Sequence, residues 1–71
     1  MTNTAKLKGR IAEKGYNISR LSGVTGISRP ALRAKLNGTS HFRTDEIVSL
    51  CTALDIGKDN MCDYFFPDFV V

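Results

Sequence analysis

Residues 26–38 read GISRPALRAKLNG, a short helix whose two ends are both marked in the sequence. Ser28 is a strong N-cap, because its hydroxyl can accept a hydrogen bond from a backbone N–H one turn further on. Pro30 falls in the first turn, where its missing N–H leaves no bond unmade and its fixed φ suits a helix. Gly38 supplies the left-handed residue at which helices commonly end. We therefore predict a helix over residues 28–37.

The faces of this helix differ in character. Leu32 and Leu36 are four residues apart and form one apolar stripe. Arg29, Arg33 and Lys35 lie on the other faces, which carry no acid. Two interpretations fit this stretch equally well. It is either a helix presented to a polyanion or an ordinary amphipathic helix with solvated cations.

The length and composition indicate one small domain. The chain has 71 residues, of which 42% are hydrophobic, enough for a single compact core. No apolar run approaches the ~20 residues that span a membrane. The first residues lack the charged and then apolar pattern of a signal peptide. We expect a cytosolic protein that makes no contact with membranes.

The cysteines and the histidine give no metal-binding pattern. Cys51 and Cys62 form no C-x-x-C motif, and His41 is the only histidine in the chain. A structural zinc site needs a set of such ligands at short spacing. We therefore expect no metal and no cofactor.

The charges divide the chain into a basic front and an acidic back. Up to residue 43 there are nine Lys and Arg against one acid, a net charge of +8. From residue 44 onward there is one Lys against six acids, a net charge of −5. A chain with this asymmetry offers a polyanion one clear face, which favours nucleic acid as the partner.

Two helices are predicted before the central one. A polar residue at one of positions 2–4 can cap the first. Asn17 can cap a second, short helix that directs Leu21 and Val24 to the core. Gly26 then forms the turn to the third helix, at a position where φ > 0 is expected.

Two more helices are predicted after it. The fourth has Thr44 as its cap and buries apolar residues at 3.6-residue spacing. The last is short, begins at Asp59 or Asn60 and ends before Pro67. Apart from the last few apolar residues, nothing has the alternation of a strand. The predicted fold is all-α, a compact bundle of four to five short helices.

Residues 17–38 have the pattern of a helix-turn-helix, a short helix, a glycine turn and a capped second helix. This stretch resembles the signature of the Cro/cI (XRE) family of phage-type repressors, and the resemblance extends over about residues 5–66. The residues that carry it are Leu21, Gly26, Ile27, Ser28, Arg29, Leu32, Leu36, Asn37 and Gly38. It implies a lambda repressor-like DNA-binding fold.

The resemblance also implies that the third helix enters the major groove of double-stranded DNA. Arginines there can bond guanine through two donors. The residues expected to read bases are Ser28, Arg29, Pro30, Arg33 and Ala34. The residues expected to contact phosphates are Asn17, Lys35, Asn37, Ser40, His41 and Arg43. Lys35 is equally compatible with a solvated charge.

Operators of this family are commonly two-fold symmetric, which implies a homodimer on DNA. We predict a DNA-binding domain over residues 1–66 and a short apolar tail over residues 67–71. The tail residues Phe69, Val70 and Val71 are the candidate dimer contact, for example as an added strand. The alternative, a tail folded back over its own core, fits equally well.

The predicted function is therefore sequence-specific regulation of transcription, as a repressor. The alternative is a protein-interaction module, an antirepressor or antitoxin, which uses the same fold against a protein partner. It is favoured by Ile18, where many relatives have glutamine, and by the apolar tail. An enzyme is not expected, because the one histidine is isolated and no carboxylates are paired. We also expect no small-molecule ligand.

Overall fold

The computed structural model describes residues 2–69, which form five α-helices and one 3₁₀ turn. The helices are α1 (Thr4–Glu13), α2 (Ile18–Thr25), α3 (Arg29–Leu36), α4 (Thr44–Leu54) and α5 (Lys58–Phe65), and the turn is Pro67–Phe69. No strand occurs in this part of the chain, which confirms the predicted all-α bundle. Within the same residues, no helix combines the length and apolar character needed to cross a membrane.

The three N-terminal helices begin at side-chain caps, as predicted. The Asn17 carboxamide oxygen accepts the backbone N–H of Arg20 at 2.8 Å at the start of α2. The Ser28 hydroxyl accepts the backbone N–H of Ala31 at 3.4 Å at the start of α3. Asn3 caps α1 in the same way. These short-range signals were sufficient to position the helix starts.

The turn between α2 and α3 is held by one glycine and two hydroxyls. Gly26 has φ = 77°, the left-handed conformation that glycine adopts without steric cost. The Ser22 hydroxyl donates to the carbonyl of Ile27 at 2.6 Å. The Thr25 hydroxyl donates to the carbonyl of Leu21 at 2.7 Å. The polar residues that weaken α2 as an isolated helix therefore stabilise the turn that follows it.

The prediction that Val24 is directed to the core is wrong, because Val24 is 54% exposed. The inward face of α2 consists of Leu21 with the partly buried Ile18, Ser22 and Thr25. Since Ser22 and Thr25 occupy that face to bond the turn, Val24 falls on its flank.

One apolar core joins all five helices. Its buried members are Leu7, Ile11, Leu21, Ile27, Leu32, Leu36, Ile47, Leu50, Leu54, Ile56 and Phe65. The half-buried ring of Phe42 packs edge-on against Phe65, with centroids 5.6 Å apart. The stripe of Leu32 and Leu36 is thus confirmed as the inner face of α3.

The C-terminal helices begin differently from the prediction. The cap of α4 is Arg43 and not Thr44, which is already helical. The cap of α5 is Gly57, so this helix begins at Lys58, before the predicted Asp59 or Asn60. Neither cap has a side-chain hydrogen bond of its own, and at α4 the Glu46 carboxylate accepts the backbone N–H of Arg43 instead.

Only the beginning of the tail can be compared with the prediction. Residues 67–69 form a 3₁₀ turn and not a strand. Val70, Val71 and the side chain of Phe69 lie outside the described residues, so the dimer contact predicted there stays a prediction.

Two long-range links close the bundle. Arg10 on α1 donates through Nε to the carbonyl of Leu54 and through Nη2 to that of Asp55, both at 2.9 Å. These carbonyls belong to the end of α4, where helical partners are missing. The backbone N–H of Asn3 donates to the carbonyl of Tyr64 on α5 at 2.7 Å.

We expect Arg10→Met to destabilise the fold by about 1.5–3 kcal/mol, because it removes charge-assisted hydrogen bonds to two α4 carbonyls. Arg10→Lys should restore little of this, since an ammonium lacks the planar fork of donors. Urea unfolding measures the change, with Lys8→Met on the exposed side of α1 as the control. Equal effects of Arg10→Met and Lys8→Met would contradict this role.

Candidate nucleic-acid interface

The five predicted base-reading residues are the N-cap of α3 and four of its first six residues. Ser28, Arg29, Pro30 and Arg33 are exposed, and Ala34 is half-buried. Arg29, Pro30 and Arg33 line one shallow surface. The structure therefore brings the two arginines together on the outer face of the capped helix.

The two arginines differ in their contacts. The Nη1 of Arg29 donates to the hydroxyl of Ser19 on α2 at 3.3 Å, a long and exposed hydrogen bond. The guanidinium of Arg33 makes no hydrogen bond or ion pair within residues 2–69. Both groups are accordingly available to a ligand at little cost.

A groove between α1, α2 and α3 brings together three predicted DNA contacts. Asn17, Arg33 and Asn37 lie along its edge with Lys8, and its floor is apolar. The other predicted phosphate contacts, Ser40, His41 and Arg43, are exposed in the loop between α3 and α4. These polar and basic groups border α3 at its C-terminal end.

Lys35 does not belong to the exposed basic face, and the prediction that puts it there is wrong. Its side chain is only 10% exposed, and its Nζ donates to both carboxylate oxygens of Glu46 at 2.6 Å. Lys35 is directed towards α4 beside the Leu32–Leu36 stripe. The ammonium is therefore committed within the fold and is not offered to a phosphate.

Glu46 is the residue that sequence reasoning missed. As an acid in the first turn of α4, Glu46 suits the positive end of the helix dipole, and nothing more is evident from its position alone. Its Oε1 also accepts the backbone N–H of Arg43 at 2.8 Å. The spacing of three residues is that of the carboxylate half of a capping box, which is the signal that could have identified it.

The contacts of Glu46 change its acidity. Burial of the carboxyl by itself raises its pKa. The hydrogen bonds from Lys35 and Arg43, with the charges of those residues, outweigh burial and hold the pKa below its ordinary value of 4.5. The Glu46 carboxyl is thus ionised at neutral pH.

The remaining cations of the basic half are largely occupied by other groups. Lys6 pairs with Asp63 at 3.8 Å and lies over the ring of Tyr64. Lys14 pairs with Asp55 at 3.8 Å. The acids of the C-terminal half thus pair with cations on α1, and one of them, Asp45, also lies 3.4 Å from Nε of the exposed Arg43 in the loop after α3.

A capped recognition helix, a glycine turn and an exposed arginine pair define a helix-turn-helix nucleic-acid-binding domain. The chain belongs to the family of the Cro/C1-type HTH DNA-binding domain, whose model matches residues 6–65. This confirms the resemblance seen in the sequence, and the family is one of DNA-binding regulators and not of enzymes. No curated protein matches the chain.

The Lys35–Glu46 pair should make the stability depend on pH in the acid range. Because folding lowers the pKa of Glu46, the pair stabilises fully above about pH 4.5, and this contribution is lost as the pH falls through the folded value. We expect wild-type stability to fall more steeply on acidification than that of Lys35→Met/Glu46→Gln. Urea unfolding at neutral and acid pH measures both, and parallel curves would contradict the assignment.

Proposed function

We propose that the protein is a cytoplasmic, sequence-specific repressor of transcription that binds operator DNA with α3 in the major groove. The observation that carries this proposal is the exposed pair of Arg29 and Arg33, one turn apart on a helix whose outer face has no acid. An arginine in the major groove can donate two hydrogen bonds to O6 and N7 of guanine.

The other residues have supporting roles in this proposal. Ser28 caps α3 and lies beside the bases or a phosphate, and Pro30 and Ala34 offer apolar contact to thymine methyl groups. The residues proposed to contact phosphates are Asn17, Asn37, Ser40, His41 and Arg43. Such contacts fix the register of the protein on the duplex without reading sequence.

The test is selection of binding sites from a random-sequence duplex library, followed by titration of the selected duplex at several salt concentrations. The proposal predicts a steep loss of affinity with salt and a marked preference over unselected duplex. Binding that is insensitive to salt, or equal for all sequences, would refute it.

Within that assay, Arg33→Ala should reduce discrimination at one guanine position by about 1–3 kcal/mol. The matched control is Lys58→Ala, which removes the same charge from an exposed position on α5. It should preserve the base preference. An unchanged preference profile in Arg33→Ala would exclude Arg33 as a base reader.

We further propose that the protein binds a two-fold symmetric operator as a homodimer, with half-sites about one helical turn apart. The tail residues Phe69, Val70 and Val71 are the proposed contact between protomers, and a tail folded over its own core is the alternative. Deletion of residues 68–71 should convert the dimer to a monomer by solution mass. A dimer that survives the deletion, or a monomeric parent, would contradict the tail contact.

A protein-interaction module is the second candidate function, and one surface favours it. Val48 on α4 is 59% exposed and borders a groove with Cys51 and Met61. Exposed apolar surface of this kind is typical of protein contacts. If the wild type shows no duplex binding, a protein partner becomes the better-supported function.

A further inference from the structure

Three segments meet at the carboxylate of Glu46. Lys35 on α3 donates to both of its oxygens at 2.6 Å, and the backbone N–H of Arg43 donates to Oε1 at 2.8 Å. Glu46 itself lies in the first turn of α4, and its side chain is only 14% exposed. One side chain thus joins the proposed recognition helix, the loop after it and the next helix.

The same loop has few other polar attachments, although the ring of Phe42 packs against Phe65. At its start, the N–H and hydroxyl of Thr39 both donate to the carbonyl of Ala34, at 3.0 and 2.9 Å. Beyond that point, the side chains of Ser40 and His41 make no hydrogen bond within the described chain. At the far end of the loop, the backbone bond from Arg43 to Glu46 is the less exposed of two polar contacts, the other being the ion pair of the Arg43 side chain with Asp45 at 3.4 Å.

Lys35 and Glu46 constrain one another. Removing one partner of an ion pair that is largely buried is costly, because it leaves the other charge without compensation. Because Lys35 reaches the carboxylate from α3, it fixes where the acceptor for the Arg43 N–H lies relative to α3. Through this pair, the backbone of Arg43 has a fixed position relative to the recognition helix, although few polar contacts hold the loop between them.

We infer that Glu46 is a positioning residue of the proposed DNA interface, which holds the phosphate-contacting Arg43 in register with the base-reading arginines of α3. Lys35 acts as its counter-charge. This inference rests on the proposed function. It assigns to Lys35 and Glu46, which are largely buried, a role in positioning the exposed arginines of the proposed interface.

Two double variants separate this role from simple stability. Lys35→Met/Glu46→Gln and Lys35→Met/Glu46→Leu both leave the net charge at +3, since each removes one cation and one anion. Glutamine keeps an oxygen that can accept the Arg43 N–H, whereas leucine does not. Each double variant is made with and without Arg43→Ala. All of the proteins are titrated against a random-sequence duplex at several salt concentrations, at a temperature well below the lowest melting midpoint among them.

A phosphate contact contributes roughly 0.9 to the slope of log affinity against log salt. In the wild type and the glutamine background, Arg43→Ala should lower the slope by about that amount. In the leucine background the slope should already be lower, and Arg43→Ala should change it no further. Without DNA, amide hydrogen exchange at Arg43 should quicken in the leucine variant only. If that variant does not fold, Lys35→Met/Glu46→Ala makes the same comparison.

Equal slopes in the two double variants, whether at the wild-type value or below it, would overturn the inference while leaving the proposed function intact. If the wild type itself shows no salt-dependent binding to duplex DNA, the proposed function fails and this inference fails with it.

Discussion

The angle between α2 and α3 is set at Gly26, whose φ of 77° lies in a region that costs other residues roughly 1–2 kcal/mol. From that angle follow both the burial of Leu21 against Leu32 and the outward direction of Arg29 and Arg33. The hydroxyls of Ser22 and Thr25 bond the backbone on either side of the turn, so that α2 is stabilised by its junction more than by helix propensity. The interface is therefore a consequence of backbone geometry before any charge is considered.

The interior of the bundle contributes electrostatics as well as packing. Lys35 and Glu46 remove one positive and one negative charge from the surface and place them between α3 and α4. A pair of this kind adds little net stability compared with apolar residues of similar size. Its effect is to orient the loop between α3 and α4. The Glu46 carboxylate accepts two hydrogen bonds from one ammonium and one from a backbone amide, and these permit few alternative arrangements of the loop.

The local features of the fold could be predicted from sequence, and the non-local ones could not. Local features such as the caps Asn17 and Ser28 and the turn at Gly26 involve residues only a few positions apart. Their patterns can therefore be recognised directly in the sequence. Lys35 was misassigned because the carboxylate that binds it lies beyond a loop, and a lysine at the edge of an apolar stripe looks solvated. Val24 was misassigned because Ser22 and Thr25, whose hydroxyls bond the backbone around the turn, occupy the inward face of α2.

The candidate site shows the same division. The exposure of Arg29 and Arg33 follows from helical periodicity, and the charge asymmetry of the chain is consistent with the basic surface that they form. The position of Arg43 relative to α3 depends on Glu46, whose role appears only when both helices are in place. Sequence could therefore name the residues of the interface more readily than the contacts that hold them.

The backbone bond between Asn3 and Tyr64 has a consequence for synthesis of the chain. Asn3 caps the first helix and Tyr64 lies on the fifth, so the bond can form only after all five helices have been synthesised. At about 5–20 residues per second, α1 is made several seconds before α5. The junction of α1 with α5 is therefore a late contact in the synthesis of this helical bundle.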